Sequence, residues 1–129
     1  MLIDLHTHSN ASDGTDTPAA LIDKAIERGI NVLALTDHDT VAGWNEAITA
    51  VTAHPQSSNL KLVLGSEISC QDKDGTSIHM LGLLFDEKYQ PLISELEKTR
   101  ENRLTRMERI VDRLNEAGIE ITLEEVYAQ

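Results

Sequence analysis

What this chain has little of already narrows what it can be. Cys70 is its single cysteine in 129 residues, so no internal disulfide can form, and no second thiol offers metal or redox partnership. Cations are scarce as well: 11 Lys and Arg stand against 22 Asp and Glu, for a net charge of −11. Such a surface repels polyanions at long range, which argues against a module that coats nucleic acid. A phosphate-bearing substrate would then need a local positive source, and bound divalent cations supply one. No basic-then-apolar leader follows Met1, and no apolar run is long enough to cross a bilayer. Neither secretion nor membrane insertion is expected, and the chain reads as cytoplasmic.

What is present is an alternation of strand and helix patterns. Leu2 to Leu5 reads as a short strand. Thr17 and Pro18 supply an N-cap and first helical position for a helix ending near Gly29, with Leu21, Ile22, Ala25 and Ile26 as its apolar stripe. Asn31 to Thr36 contains the run Val32-Leu33-Ala34-Leu35, expected of a strand buried on both faces, so a parallel βαβ unit opens the chain. A helix from about Val41 to Ala53 follows, then a polar loop over His54 to Asn59, and strands at Leu60 to Ser69 and Ile78 to Phe85.

The last two strands are predicted to pair as a hairpin around Lys73-Asp74-Gly75, with Gly75 in a left-handed position. That register sets Ser69 opposite His79 and makes Glu67 a diagonal neighbour of His79, within joint reach of one metal. A slip of one residue would send the two to opposite faces. From about Tyr89 the pattern becomes a charged helix to Ala117, stopped by Gly118. Thr122 to Glu125 forms a capping box for a further helix, which reads as cut short at Gln129. The expected organisation is therefore residues 1–88 and residues 89–129.

The chemistry is concentrated at strand ends. His6 and His8 are two apart on a strand, so both leave the same face and can share one cation. Asp4 lies on that face too, placed to orient an imidazole. Asp13, in Ser12-Asp13-Gly14, reads by itself as a turn aspartate. Thr36-Asp37-His38-Asp39 follows a buried strand directly, at the carboxyl end where α/β folds build their sites. A helix-capping loop explains Asp39 and Thr40 but not His38 between two aspartates. Glu67 lies within an apolar strand, where a carboxylate is costly unless paired or metal-bound. His54, Cys70 and Trp44 are assigned no role in the chemistry.

Together these segments resemble the polymerase and histidinol phosphatase (PHP) superfamily. The similarity rests on Asp4-Leu5-His6-Thr7-His8-Ser9, Ser12-Asp13-Gly14-Thr15, Leu35-Thr36-Asp37-His38-Asp39-Thr40 with Gly43, Gly65-Ser66-Glu67-Ile68-Ser69 and His79-Met80-Leu81-Gly82, in the family order. The chain is most similar to stand-alone bacterial phosphoesterases with a helical insertion, among them 3′,5′-nucleotide phosphatases and 5′-to-3′ RNA exonucleases. The resemblance implies an α/β fold: the first half of a distorted (β/α)7 barrel over residues 1–88, followed by part of the helical insertion over residues 89–129.

It further implies up to three divalent ions, with Mn²⁺, Zn²⁺ or Fe²⁺ suited to nitrogen and oxygen donors without thiolate. His6, His8 and Glu67 would hold one, Glu67 would bridge to a second bound by His79, and Asp13 with His38 would hold a third. The reaction implied is hydrolysis of a phosphate ester, from a nucleotide, an RNA end or a small phosphomonoester, by water activated on the ions, with no protein nucleophile. His38 and Asp37 are the candidates for passing protons, with Asp37 a supporting residue near the ions.

The family completes its site with a histidine after the insertion and an Asp-x-His pair near the end of the barrel, and 129 residues contain neither. A barrel of this kind takes roughly 250 residues. The chain is therefore expected to be a fragment, or one piece of a site finished by another chain, and to self-associate through an open sheet edge. Two other readings are weighed. A metal-dependent amidohydrolase also uses H-x-H after its first strand but bridges its metals with a later lysine, a place that Glu67 fills here. A non-catalytic PHP domain kept for structure or interaction fits the missing ligands.

Overall fold

The computed structural model describes residues 1–128. The elements run β1 (Ile3–Thr7), α1 (Pro18–Glu27), β2 (Val32–Leu35), α2 (Trp44–Ala53), a short 3₁₀ turn at Ser57–Asn59, β3 (Lys61–Gln71), β4 (Ser77–Leu83), α3 (Gln90–Glu116) and α4 (Leu123–Tyr127). One four-stranded sheet has the order β1-β2-β3-β4. Strands β1, β2 and β3 are parallel, and β3 and β4 form an antiparallel hairpin. The expected α/β fold, part of a barrel followed by helices, is the one observed.

The local signals act as the sequence suggested. Thr17 caps α1, its hydroxyl accepting the Ala20 N–H at 3.1 Å, with Pro18 at the first helical position. Along α1, Ile22 and Ala25 fall on one face and are buried against Leu33, Leu35, Trp44, Ala47 and Leu60. This core seals one side of the sheet, so the strand ends are held by close packing and not by loop contacts alone. Trp44 packs on Phe85 with ring centroids 5.0 Å apart and donates Nε1–H to the Gly65 carbonyl at 3.0 Å. That bond fixes β3 at the start of the segment that carries Glu67.

The hairpin register is the expected one. Ser69 pairs with His79, and Glu67 with Leu81. Asp72 N–H donates to the Thr76 carbonyl at 3.0 Å, closing Lys73-Asp74-Gly75 as the loop, and Gly75 takes φ +82°. A side chain there would be strained in the left-handed region.

Two expectations need correction. The second helix starts at Trp44 and not near Val41, because Asp39 sits at φ +51° and the Thr40 hydroxyl accepts the Ala42 N–H at 3.1 Å, which makes residues 39–42 a turn. Asp39 caps no helix: its carboxylate turns inward, where it is 1% exposed.

Candidate metal centre

Each donor reaches the site by a separate piece of backbone logic. β1 shifts register by one residue against β2 between Asp4 and Thr7. Such a bulge commonly re-aims side chains at a sheet rim. His6 within it and His8 just beyond it both turn toward Glu67, their Nε2 atoms 2.7 and 2.9 Å from its Oε2. β2 continues past Leu35 as extended backbone, and His38 bridges alongside Glu67, with Asp39 N–H donating to the Glu67 carbonyl at 3.1 Å. From the hairpin, His79 Nδ1 approaches Glu67 Oε1 at 2.7 Å.

Asp13 arrives on the loop after β1. That loop folds back tightly: Gly14 N–H donates to the Ser9 carbonyl at 2.9 Å, and a Cβ on Gly14 would lie 2.4 Å from the His8 carbonyl oxygen. Only glycine fits there. The turn carries Asp13 to His8, Oδ1 to Nδ1 at 2.6 Å, and to His38, Oδ2 to Nε2 at 3.4 Å.

The structure thus brings together His6, His8, Asp13, His38, Glu67 and His79. Neighbouring imidazoles stand 5.0, 4.6 and 5.0 Å apart in the order His6, His8, His38, His79. Three overlapping donor groups result: His6, His8 and Glu67; His8, Asp13 and His38; His38, Glu67 and His79. His8 presents Nε2 to the first group and Nδ1 to the second.

The donor types suit divalent cations; the pairs of Glu67 with His6, His8 and His79 and of Asp13 with His8 stand at hydrogen-bond distance, 2.6–2.9 Å, and His38 stands at ligand spacing. Ligand atoms about 2.0–2.2 Å from one tetrahedral ion lie roughly 3.3–3.6 Å from each other. The Nε2 atom of His38 stands 3.4 Å from Asp13 and 3.6 Å from Glu67, spacings of that kind. Its Nδ1 is buried with no hydrogen-bond partner among the described residues. Hydrogen bonding therefore does not account for the position of this half-hidden ring.

The electrostatics point the same way. Burial works to raise the Glu67 pKa, but hydrogen bonds from His6 and His79 and the nearby charge of His38 overcome it and hold the carboxyl below its ordinary value. Asp13 is likewise lowered, the His8 hydrogen bond and the charge of His38 outweighing the opposing effect of burial. For His38, burial lowers the pKa and prevails over the attraction of Glu67 and Asp13. At neutral pH the carboxylates are ionised and His38 is neutral, the protonation states that ligation requires.

Asp37 is not among the gathered donors. It is 1% exposed, and its carboxylate accepts the Ser9 N–H and Ser9 hydroxyl at 2.7 Å each and the Ser12 hydroxyl at 2.7 Å. It braces the Asp13 loop from below. Asp4 does not orient an imidazole either, since its Oδ1 accepts the His6 backbone N–H at 3.3 Å. His54 lies far from the cluster, 3.9 Å from Asp23, and Trp44 belongs to the core.

Sequence reasoning passed over two features. Ser66 is fully buried and donates its hydroxyl to the Asp37 carbonyl at 2.8 Å, stitching β3 to the β2 end. Arg100 and Arg103 reach from α3 to the rim, Arg103 to Asp39 at 3.1 Å and Arg100 to Thr40 at 3.4 Å. Their spacing of three along a helix was the available signal, but in a charged helix it looks like an ordinary solvated face.

A sheet whose strand ends gather four imidazoles around one carboxylate is a candidate metal centre at the rim of an α/β fold. Comparison narrows this: the chain belongs to the PHP family, whose domain profile matches residues 4–123. It is 41% identical over 116 residues to a 5′-3′ exoribonuclease from Haemophilus influenzae, covering 90% of this chain and 40% of that protein. A 3′,5′-nucleoside bisphosphate phosphatase from Chromobacterium violaceum is 38% identical over 117 residues, covering 91% of this chain and 39% of its own length. Among solved structures, one assigned as a metal-dependent phosphoesterase from Bifidobacterium adolescentis superimposes with a TM-score of 0.86 at 40% identity, covering 98% of this chain and 42% of that one. The chain therefore spans about two fifths of the length of these relatives.

Proposed function

We propose that this chain carries the greater part of the ion-binding apparatus of a PHP phosphoesterase that hydrolyses phosphate esters of nucleotides or RNA ends. The observation that carries the reading is Glu67, a 6% exposed carboxylate within contact of three imidazoles and 3.6 Å from a fourth. His6, His8 and Glu67 would hold one ion, Glu67 and His79 a second, and Asp13 with His38 a third. Bound divalent cations would supply an acidified water and positive charge against the phosphate oxygens. Imidazole and carboxylate donors without thiolate suit Mn²⁺, Zn²⁺ or Fe²⁺.

The protein's own groups have separable tasks. Glu67 sets the spacing of the donors by bridging them. His38 faces both Asp13 and Glu67 through Nε2, so it would serve as a ligand, and it would pass a proton only where that nitrogen is not ligating. Asp37 keeps the Asp13 loop in place, and its three donors support that role over proton transfer.

Residues 1–88 form the barrel part in this reading and residues 89–129 the insertion, with the remaining ligands contributed by further sequence or by another chain. Among the described residues no helix is long and apolar enough to cross a membrane, and we place the reaction in the cytoplasm. Exposed Leu2 and the exposed β1 residues Ile3 and Leu5 support self-association along that sheet edge, which light scattering of the purified chain would detect.

The test is hydrolysis of nucleoside phosphates and short 5′-phosphorylated RNA by the chain with Mn²⁺, alongside its metal content. Hydrolysis that chelator abolishes is expected. Stoichiometric metal with no turnover on any of these substrates would favour the reading of a PHP domain kept for structure or interaction.

A further inference from the structure

Asp39 is held in an unfavourable place, and neither ion binding nor the hydrolysis proposed above uses it. Its backbone takes φ +51°, a conformation uncommon for a residue with a side chain. The residue is 1% exposed, where a carboxylate is destabilising unless partners surround it. Those partners lie on β3 and α3. Oδ1 accepts the Ser69 N–H at 2.8 Å, Oδ2 accepts the Ser69 hydroxyl at 2.8 Å, and Arg103 Nη2 lies 3.1 Å from Oδ2 while also donating to the Ser69 hydroxyl. The Asp39 N–H in turn donates to the Glu67 carbonyl at 3.1 Å.

These bonds put Asp39 one step from every member of one donor group. His38 precedes it in the chain, Glu67 accepts its N–H, and Ser69, which its carboxylate grips twice, is the register partner of His79. His38, Glu67 and His79 come from three different stretches of the sheet and form a single group of donors. Asp39 ties the three stretches together. The long helix is fastened to the same spot. Leu96, Arg100 and Arg103 follow one another at spacings of four and three, so they share a face of α3. Leu96, 3% exposed, lies with Arg100 along a cleft over residues 39–42, Arg100 Nη1 is 3.4 Å from the Thr40 hydroxyl, and Arg103 meets both Asp39 and Ser69.

We propose that Asp39 is a positioning residue for the ion that Glu67 and His79 would hold, and that through Arg103 it couples the filling of that place to the docking of α3. Undocking of α3 takes the cation away from a buried carboxylate, which then has to turn toward water and release Ser69, the register partner of His79. By thermodynamic reciprocity, an ion that favours the gripped arrangement holds α3 down by the same factor. The inference rests on the ion-binding reading, whereas the positioning of His38 and His79 is a property of the metal-free chain.

The decisive comparison is Mn²⁺ titration of the full chain together with hydrogen exchange of the α3 amides, in the wild type, Arg103→Met, Asp39→Asn and Arg106→Met. In the wild type, saturating Mn²⁺ should slow exchange over residues 93–103 by about tenfold. Arg103→Met should weaken one ion by about the same factor, leave any other within about twofold, and abolish the Mn²⁺-dependent part of the protection. Arg106→Met, outside this set of bonds, should change neither. Asp39→Asn keeps the shape, tolerates the same φ and removes the charge, so it should match Arg103→Met; if it fails to fold, Arg103→Met decides alone. An Arg103→Met chain whose α3 exchanges faster by the same factor with and without Mn²⁺, and which binds every ion as the wild type does, would reduce the pair to a structural tie and overturn the coupling. Imidazole NMR signals of the metal-free protein read the positioning separately: Arg103→Met should shift those of His38 and His79 and leave His54 in place, and unshifted signals would overturn it. A wild type that binds no Mn²⁺ would sink the ion reading instead, and the imidazole comparison would still decide the role of Asp39.

Discussion

The rim of the sheet and the long helix that follows it are built on opposite plans. At the rim, buried charged and polar groups are matched, with His38 Nδ1 the exception among the described residues: Asp37 with Ser9 and Ser12, Asp39 with Ser69 and Arg103, Ser66 with the Asp37 carbonyl, Glu67 with imidazoles. In α3, 27 residues long, only Leu96 and Val111 are buried, and Leu104 and Ile110 are exposed. The chain's arginines divide in the same way, with Arg28 alone outside α3 and Arg100, Arg103, Arg106, Arg109 and Arg113 within it. A site that must hold several cations needs its carboxylates fixed against mutual repulsion before the ions arrive, and interlocking hydrogen bonds do that. In α3 six Lys and Arg stand against six Asp and Glu, so the helix is neutral overall and the positive charge it offers is local to the arginines that reach the rim. The contrast assigns precision to the sheet.

The largest effect that would break this contrast is at Glu67. Removal of the carboxylate takes away the residue common to two of the three donor groups, so Glu67→Ala should lose multiple-ion binding while His54→Ala keeps it. Elemental analysis of the two purified variants reads this directly, and equal metal content would end the ligand assignment. Next comes Asp37→Ala, which strands three donors in a buried place and should cost about 3 kcal/mol in urea unfolding. It should also weaken metal binding through displacement of Asp13, although Asp37 itself holds no ion.

Much of this rim was legible in the chain, for identifiable reasons. The H-x-H pair, the His38 segment and the hairpin around Gly75 are local: two-residue alternation and a turn residue define side-chain direction without knowledge of the rest of the fold. The register that joins Glu67 to His79 followed from loop length alone. Asp37 and Asp39 were not separable in the same way. Both flank His38, and sequence does not say which carboxylate turns inward to serines and which meets an arginine sixty-four residues later, because that depends on where α3 docks. The second helix was placed too early for a related reason, since the turn at residues 39–42 is held by contacts that only the folded rim supplies.

The docking of α3 can be sharpened by a pair of leucines. Leu96 is 3% exposed and borders a small cleft with Ile93 over the turn containing Asp39, Thr40 and Ala42, whereas Leu104 is 49% exposed. Leu96→Ala should cost about 2–3 kcal/mol and Leu104→Ala less than about 0.5 kcal/mol. If the two cost the same, α3 is not seated on the sheet, and the placement of Arg103 loses its foundation.

The smallest expected effect is the pH dependence of the metal-free chain, and its sign is set by three groups. The His38 pKa is lowered from 6.5, chiefly by burial, so as pH falls below 6.5 the unfolded chain takes up a proton that the folded chain resists. Stability should therefore decline first in that window. Glu67 and Asp13 are lowered from 4.5 and 3.8, burial being outweighed by their histidine partners; their contribution is complete above those values and disappears as pH falls through the depressed folded pKa. A second decline is expected there. The Asp13 share is the weaker, because its side chain is 64% exposed and screened by solvent. His38→Gln should remove the first decline and leave the second. Urea midpoints measured from pH 8 to pH 4 read both, and a rise in stability between pH 7 and pH 6 would contradict a buried, neutral His38. Arg106 makes no ion pair with His38, Glu67 or Asp13, so the two declines should persist in Arg106→Gln, confining the pH response to the rim.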